Sequence, residues 1–251
     1  MNRFYRDFHS DRFKAFTITY METDLWVGVD RFQAEMIDKV LDLVMRLHKD
    51  LHEYIEFDNN FLLSFEPIEI TKDCAPIVEK MATAARYAGV GPMAAVAGAF
   101  ADEVGRLLVE QFKCSEVVVE NGGDIFIKNL QPMTICVYAG DSPLSQRVGL
   151  RIPPGVCGVC TSSGTVGHSI SFGSADAVTV VSENAAIADA FATAYCNMVK
   201  EMEDVETLLN KGLNEHVQSV LVIYRDKMGF VGKHELVFIE QGQGDENESD
   251  R

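Results

Sequence analysis

Twice along this chain, period-two alternation of apolar residues gives way to apolar residues at helical spacing and then returns. Runs in that order predict an α+β fold, with helices delivered in blocks onto antiparallel sheets. In the first run, Phe16 to Tyr20 and Leu25 to Val29 alternate on either side of Glu22-Thr23-Asp24, which reads as a hairpin. From Phe32 onward, Met36, Ile37, Val40, Leu41, Val44, Leu47, Leu51 and Ile55 mark a long amphipathic helix. A shorter helix near Ile77 to Tyr87 stops at Gly89-Val90-Gly91-Pro92, and another begins at Met93. Its small residues Ala94, Ala95, Gly98 and Ala99 allow close backbone approach. Two strands, Glu116 to Glu120 and Asp124 to Lys128, flank a turn at Asn121-Gly122-Gly123, where positive φ is tolerated.

The second run places strands at Met133 to Ala139, Val148 to Ile152, Gly155 to Cys160 and Ala177 to Val181. Helices follow over about 185–200 and 205–213, and strands close the run at Gln218 to Tyr224 and Glu235 to Glu240. No residue-level repeat accompanies this order. Residues 1–240 read as one domain, either undivided or built of two similar halves of about 1–130 and 131–240. Residues 241–251, with the acidic GQGDENESDR, read as a disordered tail.

The net charge of −16 argues against a nucleic-acid groove or an anionic membrane as partner, since both need clustered Lys and Arg. The opening MNRFYRDFHSDRFK has no apolar run of a secretory signal, and no segment approaches the roughly 20 apolar residues that span a bilayer. The expectation is a cytoplasmic protein whose six cysteines are reduced.

Chemistry concentrates between Thr161 and Asn197. Thr161, Ser162, Ser163, Gly164 and Thr165 form a hydroxyl- and glycine-rich loop of the kind that presents donors to a phosphate, although a bland turn explains the same residues. It lacks the lysine of G-x-x-x-x-G-K-S/T, so an NTPase P-loop is a poor reading. His168 follows and has the right ordinary pKa, near 6.5, for a general base. Asp189, Thr193 and Asn197 fall at i, i+4 and i+8 on an otherwise apolar helix. A buried aspartate needs a partner, either a hard divalent cation such as magnesium or backbone and basic groups nearby.

Cys157 and Cys160 make a C-x-x-C within an apparent strand, where alternation sends the two sulfurs to opposite faces. Cys160, beside the serine loop, is either a nucleophile or a buried core thiol. The other four cysteines are isolated, so no zinc site is indicated.

Together, ENGGDI (Glu120 to Ile125), TSSG (Thr161 to Gly164), His168, AVTVV and ADAFATA (Ala188 to Ala194) resemble the ApbE superfamily, whose best-known members are FAD-dependent protein FMN transferases. ETDLWVGV, GVGPMAAVAGAFADEVG and GTVGHSISFGSADA resemble more closely the ApbE-related protein family 0280, over about 4–240. The resemblance implies a T-fold-like α+β architecture and a phosphorylated small-molecule ligand, either FAD or another nucleotide. It implies flavin-holding roles for Asn121, Gly122, Gly123 and Asp124 and for the loop from Thr161 to Thr165. It also implies magnesium at Asp189 and Thr193, and His168 as base. The transferases' K-G-Y-A-x-D is AGAFADE here, without the lysine but with Asp102 in place of the aspartate. Their D-P-x-T-G after the histidine is SISFGSADA. Three functions stand open: group transfer on a bound nucleotide, sulfide-to-homocysteine chemistry implied by family context with Cys160 carrying sulfur, and a non-catalytic binding or assembly role.

Overall fold

The computed structural model describes residues 12–165 and 172–239. His168 and the tail at 241–251 lie outside them. Eleven strands are formed in that range. They are β1 (Lys14–Tyr20), β2 (Thr23–Val29), β3 (Val117–Asn121), β4 (Asp124–Asn129), β5 (Met133–Cys136), β6 (Val148–Ile152), β7 (Gly155–Ser162), β8 (Ala177–Ser182), β9 (Val217–Tyr224), β10 (Lys227–Gly232) and β11 (Glu235–Phe238). The helices are α1 (Glu35–Phe57), α2 (Asn60–Leu63), α3 (Pro76–Ala88), α4 (Val96–Glu110), α5 (Ala185–Met198) and α6 (Met202–Lys211). None is long and apolar enough to cross a membrane.

Eight strands form one antiparallel sheet in the order β1-β2-β3-β4-β7-β8-β9-β10. Its two four-stranded stretches each follow hairpin, helices, hairpin along the chain. β11, β6 and β5 form a separate small antiparallel sheet. The α+β class expected from the sequence is the class observed.

One face of the large sheet is buried under the helices, with Val119, Phe126, Cys160, Val178, Val180, Val220 and Val222 packing against α1, α3, α4 and α5. On the opposite face, Ile127, Cys157, Val159, Val181, Leu221 and Ile223 form a second core with Val148, Leu150 and Ile152 of the small sheet. Strand alternation thus separates Cys157 from Cys160 by the thickness of the sheet.

Local differences from the sequence reading have physical causes. The β3–β4 loop is Gly122-Gly123 alone, with φ of +71° and +110°, while Asn121 stays in the ladder opposite Asp124. Two glycines take the left-handed positions, so Asn121 need not. The helix expected from Met93 begins as a 3₁₀ turn, Pro92–Ala95, and becomes α-helical at Val96. β10 was not legible because KMGFVG has glycines at Gly229 and Gly232 and only partial burial, so it lacks an alternating signature.

Candidate functional site

Helices α4 and α5 cross at their first turns. The crossing is close because Gly98 has no side chain: a Cβ there would lie 2.2 Å from the Ala185 carbonyl oxygen. Each helix leaves unpaired N–H groups and a positive dipole end at its start. Each start is met by a carboxylate of the other helix. Asp189 on α5 accepts from Gly98 N at 2.9 Å, and Asp102 on α4 accepts from Ala185 N at 2.9 Å and Ala186 N at 3.1 Å.

The two carboxylates differ in their further partners. Lys80 Nζ of α3 lies 3.8 Å from Asp102 and 2.6 Å from Glu103, which Arg106 also contacts. Burial raises the Asp102 pKa, with Lys80 and the two backbone N–H groups opposing it. Burial also works to raise Glu103, but Lys80 and Arg106 hold it below its ordinary value. Among the described residues no ion pair reaches Asp189 or Asp124.

The sheet supplies the opposite wall. Asn121 Nδ2 donates to the Ala97 carbonyl at 3.1 Å, which ties the end of β3 to the start of α4. Asp124 stands opposite Cys160 in the β4–β7 ladder and shares its helix-side face. Burial pushes Asp124 up to about 7, with the adjacent Cys160 thiol opposing the rise and Glu120 adding repulsion. Asp189 is raised well above the carboxylate range by burial first and by Asp124 second. Asp189 thus feels the charge of Asp124, and no basic side chain pairs with either carboxyl among the described residues. Two residues beyond Cys160, the Ser162 hydroxyl is buried with no hydrogen-bond partner among the described residues. An orphaned polar atom of that kind points to a missing partner.

The remaining sequence-predicted residues divide. Thr193 is half-buried on α5, one turn beyond Asp189. Thr161 points away from the site, its hydroxyl bonded to that of Thr179 at 2.8 Å on the other face of the sheet. Ser163, Gly164 and Thr165 follow β7 and are bonded to one another and to the segment that leads into β8. The Gly164 N–H is bonded to Ala175 O, the Thr165 N–H to Ser163 Oγ, and the Thr165 hydroxyl to Asp176. These donors sit at the surface and are already engaged within the loop and with Ala175 and Asp176.

Cys160 is fully buried, and its thiol donates to Ala185 O at 3.3 Å. Burial pushes its pKa well up, with Asp124 and Asp189 adding to the effect, which is the reverse of what a thiolate nucleophile requires. Cys157 is pushed up to about 12 by burial alone. Alkylation of the native protein with a small thiol reagent is therefore expected to modify exposed Cys136 rapidly and to spare Cys157 and Cys160 until denaturant is added. Peptide mapping after a short pulse reads this directly; early labelling of Cys160 would restore a nucleophilic role.

Lys80 and Glu103 gave no sequence signal, because a charged residue on a helix is ordinarily a solvated one. Asp102 was visible only through the family pattern. Two shallow clefts, of about 310 and 340 Å³, lie beside Lys80, Thr83 and Asn184 and beside Asp141, Asp176 and Arg225; neither is lined by the carboxyl pair. No group of three or more His, Cys, Asp or Glu among the described residues is arranged to hold a metal.

A family model described as "AbpE bacteria" matches residues 6–214. A UPF0280 protein of Methanocaldococcus jannaschii is 38% identical over 225 residues, covering 86% of this chain and 89% of that one. A UPF0280 protein of Methanothermobacter thermautotrophicus is 42% identical over 190 residues, 73% of each chain. Among solved structures, the flavin transferase ApbE from Vibrio cholerae superposes with a TM-score of 0.54 at 16% identity, covering 88% of this chain and 96% of that one. The apo flavinyl transferase ApbE of Pseudomonas stutzeri gives 0.53 at 16% identity, covering 91% and 96%. At such identities the two structures establish a shared fold. With the model spanning most of its length, and more than a third of its residues shared with relatives across most of both chains, the protein belongs to the ApbE-related UPF0280 family.

Proposed function

We propose that this protein binds a flavin dinucleotide together with a divalent cation at the α4–α5 crossing, and that it acts on the bound nucleotide by group transfer. The observation that carries this reading is the burial of both Asp124 and Asp189 with no ion-pair partner among the described residues. Two adjacent carboxyls cannot both ionise in a low-dielectric site without a cation or a shared proton.

The donor set fits magnesium in kind. Asp189 and Thr193 offer hard oxygens one helical turn apart, and magnesium keeps several waters and shares a ligand's phosphates, so it needs no all-protein cage. A cation held there would supply neutralisation of phosphate charge. The chain's own groups supply the rest. The orphaned Ser162 hydroxyl donates to the ligand, Asn121 fixes the hairpin against α4, and Gly122-Gly123 keep the turn free of side chains. In this reading His168 takes the proton from the acceptor nucleophile. The likeness to proteins described as flavin transferases supports flavin over other nucleotides at the level of fold.

A non-catalytic binding role is the second reading, favoured by the absence of a lysine from AGAFADE, where the transferases carry one. Sulfur transfer through Cys160 is opposed by the burial of its thiol. Titration calorimetry with FAD, FMN and ADP, each with and without magnesium, tests the site. The expected result is magnesium-dependent FAD binding that is weakened about 100-fold or more in Asp189→Ala, the scale of losing a charged ligand of a bound ion. Binding that is indifferent to both magnesium and Asp189 would sink the proposal. Conversion of FAD to AMP and a flavinylated acceptor then separates transfer from mere binding.

A further inference from the structure

We infer that the outer edge of β1 is a self-pairing surface, where two copies of this chain join their large sheets across a two-fold axis. β1 ends the eight-stranded sheet and pairs on one side only, with β2. Its seven residues run in register with no bulge, proline or glycine, and its single charge is Lys14 at the first position. An edge strand of that length is a template for another strand, and monomeric proteins ordinarily interrupt it. The far edge of the sheet is interrupted in this way. There β10 carries Gly229 and Gly232, the latter at φ +145°, and opens on Lys227.

The turn after β1 fixes which backbone groups are free. Met21 and Glu22 link Tyr20 to the opposite Thr23, and the pair that closes a two-residue hairpin loop is a hydrogen-bonded one. Alternation then directs the N–H and C=O groups of Lys14, Phe16, Ile18 and Tyr20 to β2, and those of Ala15, Thr17 and Thr19 outward. An antiparallel partner centred on Thr17 sets that residue opposite its own copy, and sets Ala15 opposite the partner subunit's Thr19. Each such pair exchanges two hydrogen bonds, so every outward group of these three residues is satisfied. A register displaced by one residue would lose these bonds and reverse the faces.

The surroundings fit a second copy of this chain. Although the sequence has 38 acidic residues, β1 has none, so two identical edges meet without acidic groups opposed. On the helix side the pairing brings Phe16 beside the partner subunit's Ile18, an aromatic and β-branched combination that stabilises adjacent strands. Phe32, whose ring centroid lies 5.7 Å from that of Phe16, is 43% exposed, and Ile37 in the first turn of α1 is 39% exposed. Since α1 packs over β1, these side chains continue the edge as apolar surface that a second copy would cover. Arg12, just before the strand, reaches inward to Glu116 and to the Gln131 carbonyl, and so does not cap the edge.

Sedimentation of the whole chain from micromolar to hundred-micromolar concentration tests the inference. The wild type is expected to show twice the chain mass. Thr17→Pro removes one outward N–H and leaves the ladder to β2 intact, since proline is tolerated where an edge N–H faces solvent. Its dimer dissociation constant is expected to rise about 100-fold, while its thermal melt remains that of a folded protein. Thr17→Cys reads the register. Facing hydrogen-bonded positions have Cα atoms about 5.5 Å apart, within disulfide reach, so mild oxidation should link two copies at residue 17. Thr19→Cys faces Ala15 instead and should not link. Wild-type protein oxidised in parallel controls for the exposed Cys136. A wild type that sediments as a monomer throughout overturns the inference, as does a dimer that Thr17→Pro leaves intact. Equal linkage at residues 17 and 19 overturns the register, and an assembly larger than a dimer without linkage at residue 17 replaces self-pairing by β1 against β10.

Discussion

Substituting Gly98 by valine is expected to abolish folding, and even alanine there is expected to destabilise the protein by about 3 kcal/mol, the upper end of ordinary overpacking. A Cβ at this position meets the Ala185 carbonyl oxygen at 2.2 Å, its carbon at 2.5 Å and Asp189 Cβ at 2.9 Å. Two of those three atoms are backbone, so no rotamer change relieves the contact. Nor can the helices separate cheaply, since moving α4 away from α5 breaks the Gly98–Asp189 bond and uncovers both reciprocal caps. Leaving a carboxylate buried without its donors adds several kcal/mol. The sum for valine reaches the 5–15 kcal/mol that holds a typical domain folded. Gly89→Ala is the control. That residue has φ +73°, but nothing lies within 4 Å of a Cβ there, so its loss is only the roughly 1 kcal/mol of a left-handed alanine. Denaturant melts of the three variants decide the matter, and a Gly98→Ala protein as stable as Gly89→Ala would mean that this crossing is looser than described.

That sensitivity shows what the sequence could and could not disclose. The run of Ala94, Ala95, Gly98 and Ala99 announces that something approaches α4 closely, because small residues on a buried helix leave room for backbone. It does not announce that the approaching element is the start of α5, about ninety residues later, since close approach has no partner code. The strands and long helices were legible because burial on one face imposes a period of 2 or 3.6 on apolar residues. Asp189 was legible for the opposite reason, as a charge interrupting that pattern.

The serine and glycine loop illustrates the limit. Composition predicts donors turned outward, yet Gly164 and Thr165 spend theirs on Ala175 and Ser163, and Thr161 is carried to the far face by strand alternation. Ser162 alone in that string points its hydroxyl into the helix-side interior without a partner among the described residues. Parity along β7 separates them: Cys160 and Ser162 share one face and Thr161 the other. The sequence held that parity, but the register that places Asp124 beside Cys160 comes only from the β4–β7 pairing.

Metal-free protein is expected to lose stability as pH rises from about 4 to about 7, and to regain it on adding magnesium or on substituting Asp124 by Asn. The folded Asp124 carboxyl is raised by burial from 3.8 to about 7, so between those values the folded state holds a proton that the unfolded chain has released. Unfolding then releases protons, and the linkage relation makes stability fall as pH rises through that window. Below about 4 both states hold the Asp124 proton and above about 7 both have lost it, so the share of the loss that belongs to Asp124 is complete by then. A rise from 3.8 to about 7, at 1.36 kcal/mol per unit, corresponds to about 4 kcal/mol. For a chain of this size that is a drop in Tm on the order of 10 °C. Asp189 is raised too and shifts in the same direction, so the measured slope belongs to the pair. Asp124→Asn keeps the shape and removes the charge, leaving Asp189 without its repulsive neighbour, and the slope should flatten. Thermal melts in chelator at pH 5 and pH 8, repeated with millimolar magnesium, read all of this. A Tm that rises with pH in chelator would show that the two carboxyls are ionised and stabilised in the folded state by groups other than a bound cation.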